Sequence, residues 1–336
     1  MSADVAHVDE TDRLIAAALQ VNGRASWGEI ARVLNLPERT VARRGQSLFE
    51  RDLIRVSTYV DVARVLHARA VLLRIKTRPG ELWHVARALA RRTDASSVSL
   101  MEGSNDIAGM LLPKDERAIR RLLFDDLPGI EGIDSLNVTT VLRFYRSGHD
   151  WRPGFLRDDQ VAALDTFPAR PADPSDAISD EEEAMIRCLL SDGRVSVAHL
   201  SRELGIGVAT ARRRMDSLAR RGLMHPRTEV VPQVFGLGLE ALVWMRAPMA
   251  RLDAIGEALA QVPSVKFIAA TTGTSQLLAN VLVADEDAFH AFLTGPAIAG
   301  HEGLEVVESL VVITPLLRGS LVIDDQHHET DSVTKT

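Results

Sequence analysis

The first fifty residues contain three short runs in which apolar residues recur every three or four positions, the spacing of a helix that buries one face. The first run ends at Asn22-Gly23, a pair typical of a left-handed helix terminus. The second begins at Ser26, which with Glu29 predicts a capping box, because each side chain can accept a hydrogen bond from a free backbone N–H. The pattern predicts three helices, whose inner faces carry Leu14, Ile15, Ala18, Leu19, Ile30, Ala31, Leu34, Val41, Gly45 and Leu48.

A tight turn is predicted between the second and third helices, at Asn35-Leu36. Pro37 suits the first position of the third helix, because its fixed φ is helical and its missing donor is not needed there. The outer face of that helix carries Arg39, Arg43 and Arg44. Three short helices with this turn are typical of a helix-turn-helix, whose last helix enters the major groove of DNA. We therefore expect a winged-helix-like helix-turn-helix domain over residues 8–57.

The same pattern returns 170 positions later, where Leu189–Ser196 (LLSDGRVS) corresponds to Leu19–Ser26 (LQVNGRAS). The shift persists as far as Gly103 and Gly273, so it predicts the duplication of a whole unit rather than a shared local motif. A second helix-turn-helix is expected over residues 178–227. Its signals are a capping box at Ser179 and Glu182, a helix end at Asp192-Gly193, a helix start at Ser196 and a turn at Gly205-Ile206.

After each helix-turn-helix the pattern changes to short apolar strands separated by two helices. The predicted order is β-α-β-β-α-β, the ferredoxin-like arrangement. In the first copy the predicted strands are 70–76, 96–101, 107–112 and 133–143, with helices over 82–89 and 116–124. In the second copy they are 241–246, 265–271, 277–283 and 304–314, with helices over 252–262 and 287–293. The sequence thus predicts an α+β protein with ferredoxin-like domains over 66–148 and 238–323.

A linker is expected over residues 149–177, because four prolines accumulate there and exclude a continuous helix or a central strand. A short amphipathic piece at 158–167 interrupts it. The polar tail 324–336 is expected to be disordered. Two adjacent histidines in that tail, His327 and His328, fit a solvated segment better than a metal site, because no further ligands stand at suitable spacing. We expect no metal and no cofactor.

We expect a cytoplasmic protein. No apolar run approaches the ~20 residues of a membrane span, and the start of the chain lacks the basic and apolar segments of an export signal. The single cysteine, Cys188, falls in a helical apolar pattern and is interpreted as a small core residue. No membrane partner is therefore expected.

The charge distribution favours nucleic acid as a partner even though the net charge is −7. Residues 11–56 and 181–227 are each net +3, so two basic segments lie in an acidic chain. An arginine-rich helical face can simply be solvated, but its recurrence after the same capped helix and turn favours DNA contact. Because three consecutive arginines fan across a wide arc, some of them contact phosphate. The predicted DNA-binding residues are Glu38, Arg39, Thr40, Arg43, Arg44, Val208, Thr210, Arg212, Arg213 and Arg214.

Each copy resembles the Lrp/AsnC family of leucine-responsive and feast/famine regulators. The resemblance rests on Asn22-Gly-Arg, Leu36-Pro-Glu-Arg-Thr-Val-Ala-Arg-Arg and Gly222-Leu-Met, and it covers nearly the whole chain apart from linker and tail. It implies that the sheet domain dimerises and senses amino acids or related small molecules. The partners it implies are double-stranded DNA, an amino acid or other small-molecule effector, and further copies of the chain bound through the ferredoxin-like domains.

The effector signature of that family is a Gly-Asp-x-Asp turn between the second and third strands. The residues that correspond to it are Gly103, Ser104, Asn105 and Asp106 in the first copy and Gly273, Thr274, Ser275 and Gln276 in the second. The first turn keeps the glycine and the final Asp, whereas the second keeps only the glycine. The turns can be effector sites or ordinary polar hairpins in which Gly supplies a positive φ.

These observations favour a sequence-specific transcriptional regulator that is not an enzyme. Its two sheet domains are expected to pack as a covalent pseudodimer with an asymmetric operator, although pairing of first copies between chains is an alternative. A siroheme decarboxylase resembles the same two-domain plan, but the second strands, at 97–101 and 266–270, carry no histidine for acid–base chemistry. An architectural protein without DNA recognition is a third interpretation, against which the retained Arg43, Arg44, Arg213 and Arg214 speak.

Overall fold

The computed structural model describes residues 7–60, 69–165, 178–191, 195–318 and 321–322. The chain divides into two compact units. One contains Arg69–Thr140 and the residues from Leu310 onward, and the other contains Ser2–Ala68 and Val141–Ser309. The predicted tail at 324–336, the linker residues 166–177 and the predicted helix end at Asp192-Gly193 lie outside the described residues.

The helices and strands follow the order predicted from the sequence, with additional elements. Up to residue 164 they are α1 (Glu10–Val21), α2 (Trp27–Leu34), α3 (Glu38–Glu50), β1 (Ile54–Val60), β2 (Val71–Thr77), α4 (Leu82–Ala90), β3 (Ala95–Met101), β4 (Ile107–Leu111), α5 (Glu116–Arg121), β5 (Ile133–Arg146) and α6 (Asp158–Leu164). A π-helical turn over Leu122–Asp126 continues α5.

The remaining elements are α7 (Asp180–Ser191), α8 (Val197–Glu203), α9 (Val208–Arg220), β6 (Met224–Val230), β7 (Leu239–Arg246), α10 (Leu252–Leu259), β8 (Val265–Thr271), β9 (Leu277–Val283), α11 (Glu286–Thr294), α12 (Pro296–Ala299), β10 (Glu305–Arg318) and β11 (Leu321–Val322). Short 3₁₀ turns lie at Pro232–Phe235 and Met249–Arg251. Within the described residues, none of the helices is long and apolar enough to cross a membrane.

Local capping explains where the first two helices begin. Ser26 and Glu29 form the predicted capping box at α2, and Asp9 and Asp12 form a second one at α1. Two details differ from the sequence prediction. Pro37 is the N-cap of α3, in extended conformation, so the helix begins at Glu38. Asn22 is also extended rather than left-handed, because its side chain donates to the carbonyl of Leu164 and accepts from the N–H of Arg24.

Gly45 allows α2 and α3 to pack closely. A Cβ at Gly45 would stand 2.4 Å from the Trp27 ring, so any larger residue would displace the indole. The second helix-turn-helix holds Val197 and Met215 at the corresponding positions, 170 residues later. The large and small side chains are exchanged between the two helices, which keeps the volume of the core similar.

The two predicted helix-turn-helix segments belong to one compact unit and share a two-stranded ribbon. β1 pairs with β6 in antiparallel register, from Ile54 opposite Val230 to Val60 opposite Met224. α1 packs against β6, and α7 packs against β1. These two strands were missed by the sequence prediction, which placed residues 54–57 and 224–227 at the ends of the helical domains.

In the first unit the sheet has the order β10-β3-β4-β2-β5, and all of these neighbours are antiparallel. α4 and the helical segment 116–126 cover it. The core contains apolar residues of the strands and helices, including Ile75, Leu89, Ile107, Leu111 and Leu122, which are fully buried. The strand beside β3 is the last part of β10, where Val312 pairs with Met101 and Arg318 with Ser97.

In the second unit β5, from Val141 onward, pairs with β8, which pairs with β9, which pairs with β7. β7 also pairs with β10. Val141 lies opposite Thr271 and Arg146 opposite Ile268. β5 and β10 are each 14 residues long and extend beyond the predicted ends at 143 and 314.

The first half of the predicted linker is folded. Leu164, at the end of α6, is 2% exposed in a core with α1 and α2 residues. Gln160 donates to the carbonyl of Val33, and Trp151 donates through Nε1 to the carbonyl of Pro263. Phe155 stacks on Phe235 with ring centroids 5.1 Å apart. Residues 151–165 are therefore part of the second unit rather than an extended spacer, because their apolar side chains are buried there.

Candidate nucleic-acid interface

The third helix of the first helix-turn-helix, α3, presents a charged surface at its N-terminal end. Glu38, Arg39 and Arg43 are exposed, and Thr40 is half-buried. Because side chains four residues apart lie on the same helical face, Arg39 and Arg43 form one stripe. Two guanidinium groups on one stripe match what DNA recognition requires, since arginine contacts both phosphate oxygens and guanine edges.

Arg44 does not lie on that outer surface, in contrast to the sequence prediction. Its guanidinium pairs with Asp9 at 2.8 Å and with Asp12 at 3.0 Å, both on the first helix. Burial would raise the pKa of Asp9, but the Asp12 N–H and the Arg44 guanidinium outweigh burial and lower that pKa. Arg44 thus fixes the angle between α1 and α3. Sequence spacing could not reveal this, because the partners lie more than thirty residues away.

The third helix of the second helix-turn-helix, α9, presents a different set of side chains. Arg212 and Arg213 are exposed, and Val208 is 51% exposed. Thr210 and Arg214 are half-buried. Glu182, which stands 170 positions after Asp12, pairs with Arg221 at 2.9 Å rather than with Arg214. The acidic residue at this position of the first helix therefore pairs with a different arginine of the third helix segment in the second helix-turn-helix, Arg221 instead of Arg214.

The two third helices begin in matching backbone frames. A left-handed residue ends the preceding helix in each case, with φ of 54° at Asn35 and 62° at Gly205. The next N–H closes the turn, from Leu36 to the carbonyl of Ala31 at 2.9 Å and from Ile206 to that of Ser201 at 3.0 Å. Each third helix then runs for 13 residues.

The first predicted effector turn, Gly103–Asp106, has its carboxylate engaged within the protein. Asp106 accepts from the Lys76 ammonium at 2.7 Å and from the N–H and hydroxyl of Thr77 at 2.7 and 2.9 Å. Burial raises the pKa of Asp106, and these hydrogen bonds outweigh burial and hold that pKa below its usual range. Gly103 has φ of 120°, and a Cβ there would stand 2.6 Å from Leu310. The Asn105 side-chain amide donates a hydrogen bond to the Ser104 hydroxyl.

The second turn, Gly273–Gln276, makes the same backbone contact with a neutral side chain. The Gln276 amide oxygen accepts from the N–H of Ala247, as Asp106 accepts from Thr77, and its nitrogen donates to the carbonyls of Gly273 and Thr274. Ser275 is buried, and its carbonyl accepts from Thr271. No cluster of three or more potential metal ligands occurs in the described part of the chain.

Comparison with known proteins finds two segments of this chain that match known domain families. Residues 8–48 match the AsnC-type helix-turn-helix domain, and residues 240–322 match the Lrp/AsnC ligand binding domain. The chain is thus similar to Lrp/AsnC proteins in both kinds of domain. One similar protein is an uncharacterized HTH-type transcriptional regulator of Pyrococcus furiosus, 28% identical over 143 residues. The alignment covers 42% of this chain and 97% of that regulator.

A second similar protein is the HTH-type transcriptional regulator LrpA of Pyrococcus abyssi, 24% identical over 136 residues, which cover 40% of this chain and 96% of that one. Among solved structures, the siroheme decarboxylase NirDL has the same fold over 92% of this chain and 93% of its own, with a TM-score of 0.56 and 14% identity. The likeness to NirDL concerns the fold alone.

Proposed function

We propose that this Lrp/AsnC protein is a sequence-specific regulator of transcription that binds duplex DNA in the cytoplasm and has no enzymatic activity. The observation that carries the proposal is the pair Arg43 and Arg213. They are exposed at the same position of two third helices that begin in matching frames. The HTH-type regulators that match the chain support the same function.

Salt dependence of DNA binding tests this proposal. Each lysine or arginine that neutralises a phosphate releases counterions, so affinity for duplex DNA falls steeply as salt rises. We expect binding to a random-sequence duplex at about 50 mM salt, weakening by at least about tenfold at about 200 mM. Absence of duplex binding at the lower salt concentration would overturn the proposal and favour an architectural protein.

We further propose that the chain holds two copies of one Lrp/AsnC unit. The relatives support this, because each is spanned almost completely by about two fifths of the chain. The helix-turn-helix and the β-α-β-β-α-β order also occur twice along the sequence. The predicted domain limits of 8–57, 66–148, 178–227 and 238–323 follow from this proposal.

The two copies are proposed to form a covalent pseudodimer within one chain. Reciprocal strand pairing supports it, since Val141 pairs with Thr271 while Val312 pairs with Met101. Thr271 and Met101 are 170 positions apart, the shift of the repeat. Both long strands skip two residues at corresponding points, Leu142 and Tyr145 in β5 and Ile313 and Leu316 in β10. The first skipped residues, Leu142 and Ile313, are 62% and 59% exposed. Matching bulges are the behaviour of equivalent strands around a twofold axis.

A small-molecule effector is proposed as the second kind of partner, on the ground of the Lrp/AsnC ligand binding domain. The two turns are unequal candidates for an amino group. Only Asp106 offers a carboxylate, and an incoming ammonium would have to displace Lys76 from it. Thermal unfolding with each free amino acid tests this role. An amino acid that raises the unfolding temperature of the unchanged protein, but not that of Asp106→Asn, supports this role. An unfolding temperature that no amino acid changes contradicts it.

Siroheme decarboxylation is a second candidate, favoured by the NirDL fold likeness over most of both chains. The second strands, β3 (ASSVSLM) and β8 (VKFIAAT), carry no histidine for proton transfer. Addition of siroheme to the purified protein separates the candidates. A shift in the visible spectrum of the tetrapyrrole at stoichiometric protein would support this second function, and an unchanged spectrum would exclude it.

A further inference from the structure

The N-terminal residue of the third helix differs in chemistry between the two helix-turn-helix segments. It is Glu38 in α3 and Val208 in α9, and each follows its N-cap residue directly. The residues at this end of a recognition helix contact base edges in the major groove. Because the backbone frames match, Glu38 and Val208 would face equivalent base pairs if the two third helices bound two half-sites.

Val208 is an apolar side chain left in solvent. It is 51% exposed. Among the described side chains of the two helix-turn-helix segments, no other large apolar one is as exposed. Arg212, four residues further along the same helical face, is exposed as well. A methyl-bearing group beside an arginine fits a thymine, whose 5-methyl group projects into the major groove beside the O4 acceptor.

Glu38 presents the opposite chemistry at the equivalent position. A carboxylate accepts hydrogen bonds only, so it suits the N4 amino group of cytosine and is repelled by the O4 of thymine. The carboxylate lies against Gly28 of α2, where an added Cβ would stand 3.4 Å from Oε2. The second copy has Ala198 at the position of Gly28.

We propose that Glu38 and Val208 are specificity-determining residues that read a cytosine and a thymine, respectively, at equivalent positions of the two half-sites. This rests on the proposed DNA-binding function. The half-sites then share the base read by the common arginine, Arg43 or Arg213, and differ at this pyrimidine. On the edge that faces the major groove, a thymine and a cytosine differ only at the 4-position and in the 5-methyl group, so one side chain on each helix can discriminate between them.

The test uses the full chain and a duplex selected from a random library. Each thymine of the selected duplex is replaced in turn by deoxyuridine, which keeps O4 and the base pair but lacks the methyl group. We expect one position at which this replacement weakens binding by about fivefold, with no such loss for Val208→Ala. Val208→Glu is expected to reverse the preference at that base pair from T·A to C·G by about tenfold.

Val208→Thr is the matched control, because it keeps a methyl group and is expected to keep the preference for thymine. Equal binding of every deoxyuridine duplex by the unchanged protein overturns the inference without any variant. Retention of T·A preference by Val208→Glu overturns it too. In both of these results duplex binding persists, so the proposed function stands. If the unchanged protein bound no duplex at all, that result would instead overturn the proposed function itself.

Discussion

Ser57 lies directly opposite Arg227 in the antiparallel ribbon formed by β1 and β6. These residues are 170 positions apart, so each stands opposite its own counterpart in the sequence repeat. The pairs on either side exchange symmetrically, with Ile54 opposite Val230 and Val60 opposite Met224. A strand pair with this register is what a twofold axis through its centre produces.

A disulfide engineered at this point tests whether the ribbon forms within one chain. Directly opposite residues of antiparallel strands have Cα atoms within bridging distance, so Ser57→Cys with Arg227→Cys is expected to oxidise to a disulfide. In a Cys188→Ala background the product should run as a monomer on non-reducing electrophoresis. Peptide mass spectrometry should identify the bridge.

The single variant Ser57→Cys is the control for this cross-link. If first copies paired with each other between chains, Ser57 would face Ser57 and the single variant would form a covalent dimer. Our account expects no such dimer. A covalent dimer of the single variant would show that the pairing is intermolecular.

Arg44 and Arg43 are neighbours with different expected effects. Arg44→Ala removes the ion pairs with Asp9 and Asp12, and it should lower the free energy of unfolding by about 1 to 2 kcal/mol. Arg43→Ala should weaken DNA binding while changing that free energy by less than about 0.5 kcal/mol. Urea unfolding and DNA titration measure the two quantities. Equal stability losses in both variants would contradict the assignment of Arg44 to the α1 contact.

Asp106 should contribute stability that depends on pH. Its pKa is lowered in the folded protein from the ordinary 3.8, so its contribution is complete above that value and is lost as pH falls through the folded pKa. Asp106→Asn is expected to cost about 2 kcal/mol at pH 7 and progressively less below pH 3.8. Gln276→Ala removes the neutral equivalent, and its cost should not fall with acid. A pH-independent cost for Asp106→Asn would contradict the ion pair with Lys76.

Leu164 should stabilise the first helix-turn-helix selectively. It is 2% exposed in the core with α1 and α2, so Leu164→Ala is expected to cost about 3 kcal/mol through the cavity it leaves. Hydrogen exchange should increase in α1 and α2 and stay unchanged in α7 to α9. The neighbouring exposed residue Ala163 provides the control, since Ala163→Ser should change neither segment. An equal increase of hydrogen exchange in α7 to α9 would mean that α6 stabilises both helix-turn-helix segments rather than the first alone.

Signals carried by neighbouring residues were sufficient to predict most elements. The capping boxes at Ser26 and Ser179 mark helix starts directly, and the apolar runs gave β8 and β9 with their observed limits. The ends of β5 and β10 were predicted three and four residues too early. Their last residues are ordered by β8 and β3, which are distant in sequence, so no local pattern marks them.

In the candidate interface, too, the sequence predicted the features that depend on neighbouring residues and missed those that depend on residues distant in sequence. The exposed Arg39, Arg43, Arg212 and Arg213 follow from helical spacing alone. The inward position of Arg44 depends on Asp9 and Asp12, and the folding of residues 151–165 depends on apolar partners such as Phe235. Prolines in the linker signalled an extended chain, but burial of Trp151, Leu164 and their neighbours outweighs that local preference.

The central claim is that two unlike recognition helices of one chain read two half-sites of a single operator. Hydroxyl-radical footprinting of Arg43→Ala and Arg213→Ala on one selected duplex tests it most directly. We expect each variant to lose protection over a different half-site, the two centres lying about one helical turn, or a multiple of it, apart. Loss of protection over the same base pairs in both variants would contradict the claim.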